Sequence, residues 1–178
     1  MRNVPHPVVV LTAAAPHPHE DMPLGIAVSS FNTVTLDPPT ISFNIRHPSQ
    51  TLDAIRRDNG RFRIHFLSRK PQSARIAHSF TRGNHQETYQ ERRRLAEMDT
   101  SGKIFSKAAH IKDAHVTAAM QCELTQEMTV GDHIIAVARV SALTAEEPIE
   151  PLLMYVQGRY IDGSAQLPHH RRKPDSHK

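Results

Sequence analysis

Residues 25–51, GIAVSSFNTVTLDPPTISFNIRHPSQT, govern how the rest of the chain is read. From Ile26 onward the even positions hold Ile26, Val28, Val34 and Leu36, the alternation of a strand with one buried face. Ser30 and Asn32 interrupt that face. A hydroxyl and an amide there need partners: neighbouring backbone is the usual source, but two in succession also suit a polar ligand. Asp37-Pro38-Pro39 ends the strand, because consecutive prolines remove ladder donors and push the preceding residues out of helix. The chain then resumes with Ile41, Phe43 and Ile45 on one face and Ser42, Asn44 and Arg46 on the other. Ser49 is the expected N-cap of a helix running to Asp58, with Leu52 and Ile55 turned inward and a stop at Asn59-Gly60.

That helix start has its own chemistry. Its first amides lack partners within the helix and sit at the positive end of the dipole. The hydroxyls of Ser49 and Thr51 and the Arg46 guanidinium lie beside them in sequence. Together they suit a phosphate without a glycine-rich loop. Capped helices after strands are common, so the pattern by itself fits plain capping as well.

Working outward, VPHPVVVLT over residues 4–12 is an opening strand whose prolines confine its beginning to an edge or entry position. Residues 13–24 form an irregular connection, in which His17, His19, Glu20 and Asp21 are ordinary loop residues rather than a metal site. Phe62, Ile64 and Phe66 alternate with Arg63 and His65 in a further strand, and residues 71–83 form a helix with Ala74, Ala77 and Phe80 near one face. Residues 84–112 carry only a narrow apolar stripe of Tyr89, Leu95 and Met98. They are expected as a surface excursion, with Arg92 to Arg94 on a solvated helix face. In residues 115–124, Val116, Ala118, Met120, Cys122 and Leu124 share one face, which makes Cys122 an inert core thiol. Val130-Gly131-Asp132-His133 turns the chain into a returning strand over residues 134–143, and His133 falls at the sheet rim, where it binds substrate or caps the turn. A last strand, residues 152–156, precedes Gly158-Arg159-Tyr160 and a polar tail. Many strands, few helices and no repeating βαβ order predict a mainly β chain with flanking helices, closed as an antiparallel barrel.

The length of 178 residues suits one domain, expected over residues 1–163, with a basic, disordered tail over 164–178. Lys and Arg outnumber Asp and Glu only 22 to 18 and there is no Trp, so a nucleic-acid partner is not expected. One cysteine rules out an intramolecular disulfide and any zinc site of several thiolates. The 13 histidines show no metal-ligand spacing, and no metal is expected. No apolar run reaches membrane-span length and no secretory signal pattern is read at the start, so the expected location is cytoplasmic, with no membrane partner.

The ordered set GIAVSSFNTVTLDPPTISFNI, FRIHFLS, ARIAHSF, VGDHIIAVARV and PLLMYVQGRY resembles the flavin reductase-like family, whose fold is an FMN-binding split β-barrel, over residues 4–160. The resemblance implies that Ala27, Val28, Ser29 and Ser30 line the flavin, and that the segment from Asn44 through Ile45, Arg46 and Ser49 to Thr51 wraps its ribityl-phosphate side. It also implies that Phe80 and Thr81 close the site, and that His133 of the GDH motif and Tyr155 flank a nicotinamide. The implied cofactor is FMN, or FAD, with NADH or NADPH as co-substrate. The implied activity is flavin reduction, supplying reduced flavin to a partner oxygenase, in a homodimer. A flavin-binding electron carrier or storage protein with little reductase activity is the alternative. Three features depart from the family pattern: His65 where Asn is usual, a first strand close to Met1, and a longer, more basic segment over 84–112.

Overall fold

The computed structural model describes residues 3–16, 22–97, 106–145 and 152–162. The loop histidines and acids at 17–21, Met98 and the tail from 164 lie outside the described residues. In chain order the first half comprises β1 (His6–Pro7), β2 (Val9–Thr12), β3 (Gly25–Val28), β4 (Asn32–Leu36), β5 (Pro39–Arg46), α1 (Gln50–Arg57) and β6 (Arg61–Leu67). The second half comprises α2 (Pro71–Ser79), α3 (Gln86–Arg92), β7 (Ala96–Glu97), β8 (His110–Ile111), β9 (Val116–Val130), β10 (His133–Ala145), β11 (Leu153–Val156) and β12 (Arg159–Asp162).

Seven strands form one antiparallel sheet in the order β3-β2-β6-β9-β10-β5-β4. β3 and β4 are its two edges, yet only Ser29, Ser30 and Phe31 separate them in the chain. A flat sheet of that width would hold its edges about 29 Å apart, and the four steps from Val28 to Asn32 reach at most about 15 Å. The sheet therefore has to roll up. The Ser30 hydroxyl marks the closure: it accepts from the Asn44 N–H at 2.8 Å and donates to the Asn44 carbonyl at 3.2 Å. The result is the expected split barrel, mainly antiparallel β with three helices among the described residues.

The barrel core joins Val9, Leu11, Ile41, Phe43, Ile45, Phe62, Ile64, Ile134 and Ala136 with Leu52 and Ile55 from α1. The alternation read in β5 holds, as Ile41, Phe43 and Ile45 are buried and Asn44 and Arg46 exposed. α1 begins and ends as expected. The Ser49 hydroxyl accepts from the Leu52 N–H, and Asn59 and Gly60 take the left-handed conformation (φ 54° and 79°), which lets the Gly60 N–H bond back to the Ile55 carbonyl at 2.9 Å.

Four expectations are corrected. Val34 and Leu36 do not continue the buried face of β3. The chain crosses from one sheet edge to the other between them, and β4 is exposed throughout, Leu36 at 84%. α2 stops at Ser79, four residues before Gly83, with Phe80 as its cap residue. β6 is buried on both faces, because α2 and the segment around Ile111 cover its second face as a smaller core of Val8, Val10, Leu67, Ile76, Ala77, Phe80 and Leu153. His65 is enclosed there. Its Nδ1–H donates to the Val10 carbonyl, its Nε2 accepts from the Ile111 N–H, and burial lowers its pKa to about 3. Finally, Arg92 is not on a solvated face but fully buried, and the described parts of 84–112 pack inward through Ala108, Ala109 and Ile111.

Candidate functional site

A cleft of about 220 Å³ opens along β3, lined by Val8, Ala27, Val28, Ser29, Thr81, Tyr155 and Tyr160. β3 is an edge strand, paired on one side with β2, while on the other the Ala27 N–H donates to the Phe80 carbonyl at 3.2 Å. Glycine at 25 permits that approach: a Cβ would stand 2.4 Å from the Leu11 carbonyl oxygen and 3.0 Å from the Phe80 ring. Tyr155 and Tyr160 face each other across the β11–β12 hairpin, rings edge to face at 5.4 Å. Ser29 and Tyr155 also bound a neighbouring cleft of about 490 Å³ with His6 and Gln157.

A second group lies at the β5–β10 end, where Arg46 and His133 are register partners. Asp132 joins them. One carboxylate oxygen accepts from His133 Nδ1 at 2.7 Å, the other stands 3.3 Å from Arg46 Nε, and the Asp132 carbonyl accepts from the His47 N–H. The His133 hydrogen bond, with the Arg46 charge as a smaller contribution, holds the Asp132 carboxyl below the usual carboxylate range. With Nδ1–H given to Asp132, Nε2 of the exposed His133 ring is the nitrogen open to a ligand.

The expected site residues divide accordingly. Ala27, Val28, Ser29, Thr81 and Tyr155 share the cleft. Ser30 and Asn44 form the closure beside it, and Arg46 stands with His133 at the rim. His133 is not among the residues that line the Tyr155 cleft. Ile45, Thr51 and Phe80 are each about 1% exposed and stand behind the surface. The Thr51 hydroxyl accepts from Asn84 Nδ2 at 3.2 Å, and the Phe80 ring lies under the Arg92 guanidinium, 4.3 Å away.

Sequence reasoning passed over Tyr160, Asn84 and Arg92. For Tyr160 a signal existed in the Gln157-Gly158 pair between two short strand-like runs: in the structure both residues take positive φ, the geometry of a two-residue hairpin turn, and that hairpin pairs Tyr155 with Tyr160. For Arg92 none existed, since a buried arginine and a solvated one look alike in a charged helix.

This donor set fits a phosphorylated planar ring. Apolar and aromatic side chains line the cleft, while the Arg46 guanidinium and the capped start of α1 lie outside its lining, the first turn of α1 being tied through Asn84 to the start of β3. No helix among the described residues is long and apolar enough to cross a membrane.

Comparison with known proteins shows the family. A family described as the flavin reductase like domain matches residues 1–164, and the chain belongs to this family. It is similar to an NADH:FMN oxidoreductase of Rhodococcus qingshengii, 30% identical over 142 residues, covering 78% of this chain and 67% of that protein. It is also similar to a flavin reductase (NADPH) of Lentzea aerocolonigenes, 31% identical over 152 residues, covering 84% and 78%. Among solved structures, the styrene monooxygenase flavin reductase from Pseudomonas putida S12 superposes with a TM-score of 0.69 at 21% identity, covering 92% of this chain and 94% of that one.

Proposed function

We propose that the protein is an NAD(P)H-dependent flavin reductase that accepts FMN or FAD, built as one unit over residues 1–163. The observation that carries this is the gathering of Ala27, Val28, Ser29, Thr81 and Tyr155 in a single apolar cleft beside the barrel closure. When bound, the nicotinamide supplies a hydride and the flavin accepts it. The work of the protein is to hold two flat rings in register and keep water from between them. Ala27 and Val28 offer flat apolar contact, Ser29 and Ser30 the polar edge, and Thr81 with the Phe80 backbone closes one side. Arg46, Ser49 and the first amides of α1 take the flavin phosphate, with Asn44, Ile45 and Thr51 shaping that segment. Tyr155 flanks the nicotinamide and His133, steadied by Asp132, orients it. The names of the two Rhodococcus and Lentzea relatives support both nicotinamide nucleotides as donors.

The structural likeness to a monooxygenase's reductase supports an oxygenase as the consumer of the reduced flavin. Exposed Met128 and Val130 beside the β9–β10 turn offer apolar area to a second copy of this chain, in keeping with a homodimer. One observation favours a second reading, a flavin-binding carrier with little reductase activity: His133 lies outside the cleft that Tyr155 lines.

Anaerobic mixing of the purified protein with FMN or FAD and then NADH or NADPH separates the two. Loss of nicotinamide absorbance with bleaching of the flavin band is the expected result. Flavin that binds and is reduced by neither nucleotide overturns the reductase reading in favour of the carrier.

A further inference from the structure

Arg92 is a fully buried cation whose described acceptors are all neutral. Nε donates to the Ser79 carbonyl at 3.0 Å, and Nη2 reaches both Ser79 and, at 2.6 Å, the Gly83 carbonyl. Nη1 donates to Asn84 Oδ1 at 2.8 Å and to the Pro23 carbonyl at 3.4 Å, and the guanidinium plane covers the Phe80 ring. Ser79 is the last residue of α2, so the cation sits at the negative end of that helix and takes a carbonyl the helix leaves unpaired. A charge with no buried carboxylate opposite is expensive, and it persists only where several oriented dipoles converge.

Asn84, fixed by Arg92, accepts from the Gly25 N–H at 3.1 Å and donates to Thr51 Oγ1 at 3.2 Å. Phe80, pressed by Arg92, holds the Ala27 N–H through its carbonyl. One side chain thus ties the start of β3, the first turn of α1 and the loop after α2, three segments remote from each other in sequence.

We propose that Arg92, acting through Asn84 and Phe80, is a positioning residue that sets the spacing between the cleft along β3 and the phosphate-holding start of α1. This rests on the flavin-site assignment above. A guanidinium is suited to the task because its planar fork reaches four acceptors at once, which a lysine cannot.

The test compares Arg92→Met, Arg92→Lys and Asn84→Ala with the unaltered protein, reading the FMN dissociation constant by quenching of flavin fluorescence, the KM for FMN and for NADH, and the thermal midpoint. Asn84→Ala leaves the buried cation in place, so it keeps the proposal testable if Arg92→Met does not fold. The expected result is a rise of about tenfold in the FMN dissociation constant and KM for Asn84→Ala and more for Arg92→Met, with the NADH KM within about twofold and partial recovery in Arg92→Lys. Variants that fold with a lowered midpoint and unchanged FMN affinity overturn the proposal and leave Arg92 a helix cap. Equal loss of FMN and NADH affinity overturns it too. Failure of the unaltered protein to bind FMN removes the flavin-site assignment itself, and that outcome is distinct because no variant enters it.

Discussion

Asp132 holds His133 by one carboxylate oxygen and meets Arg46 with the other, so a single exposed acid links the residue assigned to the nicotinamide with one assigned to the flavin phosphate. His133→Ala is expected to raise the NAD(P)H KM about tenfold, the scale of one hydrogen bond, with FMN affinity unchanged. Steady-state kinetics beside a flavin titration check this, and weaker FMN binding with an unaltered NAD(P)H KM would reject the role. His65 gives a prediction of another kind. Its folded pKa of about 3 lies below the ordinary 6.5, so the unfolded chain binds the extra proton first, and stability falls as pH drops from 6.5 toward 3 by up to about 1.4 kcal/mol per pH unit. His65→Asn should show a shallower fall in denaturant titrations over that window. Equal slopes would mean that other groups govern the acid sensitivity. At this scale the sequence was legible for Ser49, whose cap bond reaches only Leu52, and for Cys122, whose place in the alternation of β9 marks a buried face. It was illegible for His65 and Arg92, whose burial depends on segments far along the chain.

Among the elements, α1 was readable almost to the residue because its cap, its inward pair Leu52 and Ile55 and its left-handed stop all fall within twelve residues. Ser49→Ala removes the cap bond to Leu52 and should cost about 1 kcal/mol, together with weaker binding of the flavin phosphate. Urea unfolding and an FMN titration measure the two effects separately, and a variant of unchanged stability would show that the cap contributes nothing. β4 misled for the opposite reason. Periodicity records alternation but not which sheet edge a strand joins, and Val34 and Leu36 alternate on an edge strand whose described residues are all exposed. α2 ran short of its expected end because Phe80, though still in the helical region of φ and ψ, turns its carbonyl to Ala27 on β3.

For the whole molecule, alternating strands and hairpin turns declared an antiparallel barrel, while the strand order and the second core over β2 and β6 required pairings that no local pattern encodes. Cys122 sits at the centre of that assembly, on β9 between β6 and β10, with its thiol pushed up to about 12 by burial. Alkylation of the native protein should therefore be slow and should accelerate only with global unfolding, followed by mass spectrometry across a urea series. Rapid labelling in native buffer would contradict a closed barrel.

The three residues between β3 and β4 act as a tie-rod, with a length that fixes the circumference of the barrel. Most surface connections absorb insertions at little cost. The link through Ser29, Ser30 and Phe31 does not: an added residue there slackens the hoop and moves Ser30 off Asn44. Length variation should be tolerated at the hairpin tips and refused at this one connection, although both are short loops at the ends of strands.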